Sequence, residues 1–329
     1  MKYYFAPLEG ITGYVYRNAH HKFFPGTDRY YTPFVAPNYT KHFKTKEKRD
    51  VAPENNAGVP LVPQVLSNKA DETLWAVEEL ARLGYEEVNL NLGCPMPTVA
   101  RKKKGSGLLK FTDELDAYLD GVFEGIAQRP SDLPPVRISV KTRLGTDSTQ
   151  EAEELVRIYN RYPISELIVH PRSQKDLYKG VPDREAFLLV WQNSVNPITY
   201  NGNLNCVDDV NEIARVCAEA GKQLDSVMAG RGFLSDPSLV RQCQGGELIS
   251  ARELEAFHAE LYERLSETLP GSAVVLSHMK ELWYYMGNLF PEGGKCLKEI
   301  RRAGNRVQYE AAVRVLLSSC RIRRPGSGF

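Results

Sequence analysis

The chain has 329 residues, 42% of them hydrophobic and 25% charged, with a formal charge of +1. That length and balance suit one large soluble domain with a small appendage, and no low-complexity segment or internal repeat beyond one recurring unit is visible. Six cysteines without a CxxC pair or regular spacing argue against a disulfide framework, and no apolar run reaches the roughly 18 residues of a membrane span.

Charge is informative only by region. From Lys295 onward the basic residues Lys295, Lys298, Arg301, Arg302, Arg306, Arg314, Arg321, Arg323 and Arg324 face only Glu299 and Glu310, so this tail carries +7 and the rest of the chain −6. The expectation is a cytoplasmic monomer with no targeting segment, no membrane contact and no metal.

In chain order, short β-rich runs are expected at Tyr3 to Leu8, Thr32 to Ala36, Leu61 to Leu66, Glu87 to Leu92, Val136 to Thr142, Glu166 to His170, Pro197 to Asn201 and Ser226 to Gly230. Between them, helical spacing predicts Lys69 to Leu83, Asp113 to Ala127, Gln150 to Tyr159 and Val207 to Ala220, with Asn68, Thr112 and Ser148 as N-caps. Gly84 and Gly221 are placed to stop two of these helices. Strand and helix alternating eight times predict an α/β fold, a (βα)8 TIM barrel over residues 1–246. A doubly wound open sheet is the main alternative, but polar or glycine-rich clusters follow seven of the eight strands, as one functional rim requires. Beyond Gly246 only helical patterns remain, at Ala251 to Thr268, Ala273 to Met286, Lys295 to Arg302 and Val307 to Ser318, predicting a small all-helical C-terminal domain over 247–329.

The rim holds the chemistry. Cys94 stands between Gly93 and Pro95 just past the fourth strand, followed by Arg101, Lys102, Lys103 and Lys104. A free cysteine is commonly a small buried hydrophobe, the reading given to Cys206, Cys217, Cys243 and Cys320; a loop position beside cations instead points to a reactive thiol. Lys141 and Arg143 end the fifth strand, and His170 and Arg172 the sixth. Each alone reads as a solvated strand end, but four basic groups converging on one mouth point to an anionic or electron-rich ligand. Asn201, Gly202 and Asn203 after the seventh strand, with Gly230, Arg231 and Gly232 after the eighth, suit a phosphate or ribityl chain. Gln64, an amide on an apolar strand, can read the edge of a flat heterocycle such as a flavin, or simply cap a loop.

Read together, Ala6-Pro-Leu-Glu-Gly-Ile-Thr with Arg17, Gln64, Asn91-Leu-Gly-Cys-Pro with Lys102 and Gly105-Ser106, Lys141-Thr-Arg, His170-Pro-Arg, Asn201-Gly-Asn and Gly230-Arg231 closely resemble the tRNA-dihydrouridine synthases across nearly the whole chain. The resemblance implies an FMN- and NADPH-dependent oxidoreductase that reduces the uridine C5–C6 double bond in tRNA. It further implies that Pro7, Leu8 and Glu9, with Gln64, Lys141 and His170, contact the flavin ring, and that Asn201, Gly202, Asn203, Gly230 and Arg231 hold its ribityl phosphate. Cys94 would be the proton donor and Asn91 would orient the uracil, hydride passing from flavin N5 to C6 and the proton reaching C5 from the opposite face. A general acid must be protonated at neutral pH, so the basic loop must not depress the thiol far. Arg143, Arg172 and Tyr178 are further candidates to receive the base. Departures from the family pattern are Leu8 for Met, Gly13 for an acidic residue, Pro171 for Gly or Ala, and Asn203 for Asp or Gly.

Two features of the tail favour an RNA partner. Its +7 charge can meet phosphates, and Trp283, Tyr284 and Tyr285 are consecutive on a helix, so they span about 200° and cannot all face one core. The Lys41 to Arg49 run reads as a basic loop. Alternatives are an FMN-dependent dehydrogenase of a free pyrimidine, a Schiff-base aldolase using Lys141, and a non-catalytic RNA-binding barrel.

Overall fold

A computed structural model describes residues 1–130 and 133–323; Arg324, counted in the basic tail, lies outside them. Its strands are β1 (Lys2–Phe5), β2 (Arg29–Tyr31), β3 (Leu61–Val62), β4 (Gln64–Val65), β5 (Glu87–Leu92), β6 (Arg137–Arg143), β7 (Leu167–His170), β8 (Ile198–Tyr200) and β9 (Ser226–Ala229). All pair in parallel, in the order β3-β2-β1-β9-β8-β7-β6-β5-β4. β3 and β4 are two pieces of one strand, split at Pro63, which has no N–H to give the ladder. The carbonyl of Pro63 still accepts from Asn89 N at 2.9 Å, so this strand bonds to neighbours on both sides and the sheet closes into an eight-membered barrel. An open sheet is thereby excluded.

Most predicted elements stand within one to three residues of their expected ends. The second strand does not: it is Arg29–Tyr31, and Thr32 to Ala36 is largely loop with a single bridge from Val35 to Val65. Arg29 explains the error, because a charge in a strand hides the β pattern. Its guanidinium enters the bottom of the barrel, 2.6 Å from Glu166 and 3.2 Å from Glu87, over the Tyr4 ring at 5.1 Å. Two of the expected caps also fail. Asn68 lies outside a helix that begins at Ala70, and Thr112 is already helical, whereas Ser148 accepts from Gln150 N at 3.2 Å as expected. Gly84 and Gly221 adopt φ of +95° and +100° at their helix ends. The Lys41 to Arg49 run folds partly as a helix, Thr45–Val51, rather than as a loop.

After β9 every element is helical, the long ones being Ala251–Thr268, Ser272–Met286, Gly294–Arg302 and Arg306–Ser319. Their apolar faces join the barrel wall in one continuous core. Phe257 packs on Tyr16 and Phe23 of the helix Tyr14–Phe23 and on its C-cap Phe24, with centroids 5.8, 5.8 and 5.1 Å away. Arg323, expected to add to the basic surface, is instead buried against Asp236 at 3.0 Å and ties the end of the described chain to the barrel. No described helix is long and apolar enough to cross a membrane.

This joint contains two buried, neutral histidines. His20 Nδ1 pairs with Tyr30 Oη at 2.7 Å and His258 Nε2 with Tyr309 Oη at 2.6 Å. Burial lowers them from 6.5 to about 3 and about 4 respectively. A base whose pKa falls on folding gives stability that is full above its unfolded value and is lost as pH drops toward the folded one. The unfolding free energy should therefore fall between pH about 6.5 and about 5, by up to about 1.4 kcal/mol per pH unit for each histidine, before most carboxylates titrate. Urea titrations giving equal stability across that interval would contradict this burial.

Candidate active site

Because the strands are parallel, their C-terminal ends share one rim; Gln64, Asn91 and Lys141 lie within strands near it, and the other predicted site residues end a strand or follow one there. The Cys94 loop is pinned from both sides. Asn91 Oδ1 accepts from the backbone N–H groups of Gly93 and Cys94 at 3.1 and 2.9 Å, and the Cys94 carbonyl accepts from Ser106 N and Oγ, each at 3.0 Å. Ser106 can approach because Gly105 has φ +57° and a Cβ there would lie 2.7 Å from the Cys94 carbonyl.

Asn91 is held in turn by a ladder of amides across the barrel interior. Its Nδ2 donates to Gln64 Oε1 at 2.7 Å, Gln64 Nε2 to Asn89 Oδ1 at 2.8 Å, and Asn89 Nδ2 to Ser139 Oγ at 2.9 Å. Each carboxamide keeps one N–H for an incoming group.

Burial raises the Cys94 thiol; the Met96 backbone N–H, Arg143 and Lys141 pull it back in that order, and Glu9 raises it. Two cations of the Arg101 to Lys104 run are engaged elsewhere. Lys103 Nζ lies 2.5 Å from Glu114 and Lys104 Nζ 3.8 Å from Glu72, both turned away to carboxylates. The thiol thus stays protonated at neutral pH.

Lys141 is the outstanding cation. Burial and the nearby Arg143 lower it from 10.5 to about 7, Cys94 raises it, and its Nζ has no hydrogen-bond or ion-pair partner among the described residues. A half-buried, unpartnered ammonium in so desolvated a mouth is costly unless an anionic or electron-rich group meets it.

Arg143 and Arg172 differ from expectation in what they hold. Arg143 Nε donates to the Gly93 carbonyl at 3.0 Å and Nη1 to the Ser173 carbonyl at 2.8 Å, so it braces the thiol loop while its guanidinium lies over the Tyr178 ring at 5.3 Å. Arg172, expected to meet the base, is 1% exposed. Its donors go to the carbonyls of Lys179 at 3.0 Å and Gly180 at 2.6 Å, to His170 Nε2 at 2.8 Å and twice to Asn203 Oδ1 at 3.3 Å. With five N–H groups engaged in five hydrogen bonds to four acceptor atoms it is a positioning residue, fixing His170 with Nε2 as acceptor. Burial, then the surrounding arginines and Lys141, hold that imidazole well below its usual value.

The two glycine loops after β8 and β9 lie against each other. A Cβ on Gly232 would stand 1.8 Å from the Leu204 carbonyl, one on Gly202 2.1 Å from Tyr200 Oη, and one on Gly230 3.2 Å from Leu8. Arg231 Nη2 donates to Asn203 Oδ1 at 3.0 Å, and Asn201 Nδ2 to the Met228 carbonyl at 2.8 Å. On the first loop, Leu8 N donates to Thr12 Oγ1 at 2.8 Å and the exposed Glu9 side chain pairs with Lys46 at 3.0 Å, leaving the backbone of Pro7 to Glu9 as the inward part.

Sequence reasoning missed the role of Ser106 as an anchor of the thiol loop, the ladder through Asn89 and Ser139, and Asp50 and Asn56, which hold the fully buried Arg17 at 3.2 and 2.9 Å. These polar residues carry no local pattern. No group of three or more His, Cys, Asp or Glu able to hold a metal occurs among the described residues.

A family model described as dihydrouridine synthase matches residues 4–320. The chain belongs to this family. Relatives include tRNA-dihydrouridine synthase B of Pasteurella multocida, 24% identical over 285 residues that span 86% of this chain and 78% of that protein. The tRNA-dihydrouridine(16) synthase of Neisseria meningitidis serogroup B is 30% identical over 243 residues, 72% of this chain and 69% of its own. That of Aquipseudomonas alcaligenes is 26% identical over 313 residues, 90% and 94% of the two chains.

Proposed function

We propose that this protein reduces the C5–C6 double bond of a uridine in tRNA to 5,6-dihydrouridine, using FMN and NADPH. The observation that carries the reading is a protonated thiol on a loop clamped by Asn91 and Ser106, electrostatically coupled to an unpartnered, half-buried lysine.

The residues fit FMN. Lys141 lacks the electron-rich partner its place in the mouth calls for, the amide of Gln64 has an N–H to spare, and Gly202 and Gly232 let the two loops after β8 and β9 pack closely on Tyr200 and the Leu204 carbonyl. The backbone of Pro7, Leu8 and Glu9, with Gln64, Lys141 and His170, would hold the ring; Asn201 to Asn203 with Gly230 and Arg231 would hold the ribityl phosphate. When bound and reduced by NADPH, the flavin supplies the hydride for uracil C6.

The rest falls to the chain. Tyr178 offers its ring to the extruded base, with the buried Arg143 behind that ring as a brace of the thiol loop and not a base contact, and Asn91 offers its remaining Nδ2 hydrogen. Cys94 Sγ gives its proton to C5, a transfer that needs the neutral thiol burial maintains. Lys141 Nζ, charged once it meets an anion, offsets negative charge in the mouth. We assign catalysis to residues 1–246 and RNA recognition to 247–329, in a cytoplasmic protein.

The test is mass spectrometry of tRNA after incubation with purified protein and NADPH, expecting a gain of about 2 Da on one uridine from the two added hydrogens. No gain on any tRNA by a flavin-loaded protein would defeat the substrate assignment. Turnover of free uracil or orotate without RNA would favour the dehydrogenase reading instead.

A further inference from the structure

Among the described residues only three aromatic side chains are strongly exposed: Tyr39 at 85%, Tyr178 at 51% and Tyr284 at 72%. Tyr39 lies in the loop after β2 and Tyr178 in the loop after β7, both on the rim of the mouth. Exposed rings are otherwise absent from the surface described, so their placement calls for an explanation.

From the thiol loop outward, cations and rings alternate. Arg143, braced on Gly93, lies 5.3 Å from the Tyr178 centroid, and Arg231 lies 5.4 Å from the same ring. Leu177, at φ +53°, turns the chain just before Tyr178 so that its ring enters this sandwich. Next comes the helix Ser272–Met286. Its half-buried Tyr285 has a phenol raised by burial first and by Glu281 and Tyr284, and it feels both Arg231 and Tyr178. Tyr284 meets Tyr285 edge to face, centroids 5.2 Å apart at 88°. Trp283, by contrast, is buried with Nε1 donating to Tyr309 Oη at 2.8 Å. The helix thus spends one of its three consecutive rings on the core, sets Tyr285 half-buried within electrostatic reach of Arg231 and Tyr178, and leaves Tyr284 exposed against Tyr285.

We propose that Tyr284, backed by Tyr285, is a stacking platform for an unpaired RNA base flanking the one that enters the barrel. The rings of Tyr178, Tyr285 and Tyr284 supply π-faces on which successive bases of a single strand can stack, with Arg143 buried behind Tyr178 and braced on the Gly93 and Ser173 carbonyls. A duplex keeps its bases stacked on one another and offers no free face to Tyr284, so the platform selects an RNA loop over a stem. This deepens the tRNA reading above and rests on it.

Two measurements on the flavin-loaded protein test it, each with Y284A, Y284F and Y284L. In steady-state reduction of tRNA, Y284A should raise KM by roughly 5- to 100-fold with kcat nearly held, as for lost uniform binding; Y284F should restore it and Y284L should not. In equilibrium titrations with a short unstructured oligoribonucleotide containing 2-aminopurine, fluorescence quenching should be retained by Y284F and lost in Y284A and Y284L. An unchanged KM and undiminished quenching in Y284A, or rescue by leucine equal to that by phenylalanine, would overturn the platform. If the parent protein fails to reduce any tRNA while its quenching still depends on the ring at 284, the substrate reading falls and the platform stands.

Discussion

Cys94→Ala protein should purify yellow, have its flavin reduced by NADPH at the parent rate, and fail to pass the reducing equivalents to tRNA. Dihydrouridine formation should drop by about 10²- to 10⁴-fold, the usual worth of a positioned general acid. The substitution removes one sulfur and little packing, because the loop is held by backbone contacts to Asn91 and Ser106 that alanine keeps. Stopped-flow absorbance separates the two half-reactions. Loss of NADPH-driven flavin reduction with normal transfer from prereduced protein would assign Cys94 the opposite role. The pH profile carries the sign of its titration: burial raises the thiol, so the rate of transfer should stay flat across neutral pH and decline only on the alkaline side, where the thiol ionises.

Gly232→Ala should be among the most damaging single-methyl changes on this chain. The added carbon would lie 1.8 Å from the Leu204 carbonyl, and backbone cannot swing aside as a long side chain can. Forcing the two glycine loops apart should cost about 3 kcal/mol and also weaken flavin retention, since these loops are the proposed phosphate cradle. Gly245→Ala is the control: its φ is +85° but nothing lies within 4 Å, so it should lose only about 1 to 2 kcal/mol and keep its flavin. Urea unfolding midpoints and the flavin-to-protein absorbance ratio after gel filtration measure both. Equal losses in the two variants would show that the approach of Leu204 is not what Gly232 protects.

The local pattern was sufficient where one residue type decides one feature. Alternation of β-rich and helical segments announces the barrel, since a parallel sheet needs a crossover after each strand. Glycines at 84 and 221 announce helix ends because a positive φ costs them nothing. Three neighbouring aromatics on one helix must diverge, and Trp283 and Tyr284 do so, one at 2% and the other at 72% exposure. Position at or just past a strand's C-terminal end was enough to place Cys94, Lys141, His170, Asn201 and Gly230 on one rim.

Tertiary structure alone decided how those residues are charged and what they hold. Whether Arg101 to Lys104 would ionise the thiol depended on Glu72 and Glu114, far from Cys94 in sequence, which draw two of the lysines away. Arg172 and Arg143 share a residue type and a rim, yet the first exhausts its donors on the 179–180 backbone, His170 and Asn203 while the second keeps a face on Tyr178. Arg323 looked like surface charge until Asp236 buried it. Arg29 concealed its own strand because its charge is satisfied by Glu87 and Glu166 from strands β5 and the edge of β7. The physical reason is common to all four: main-chain propensity and periodicity act over a few residues, but the cost of a charge is set by partners brought together by the fold. The sequence therefore determined where the reactive groups stand, and the closed barrel determined which of them is left a proton, a partner or an open face.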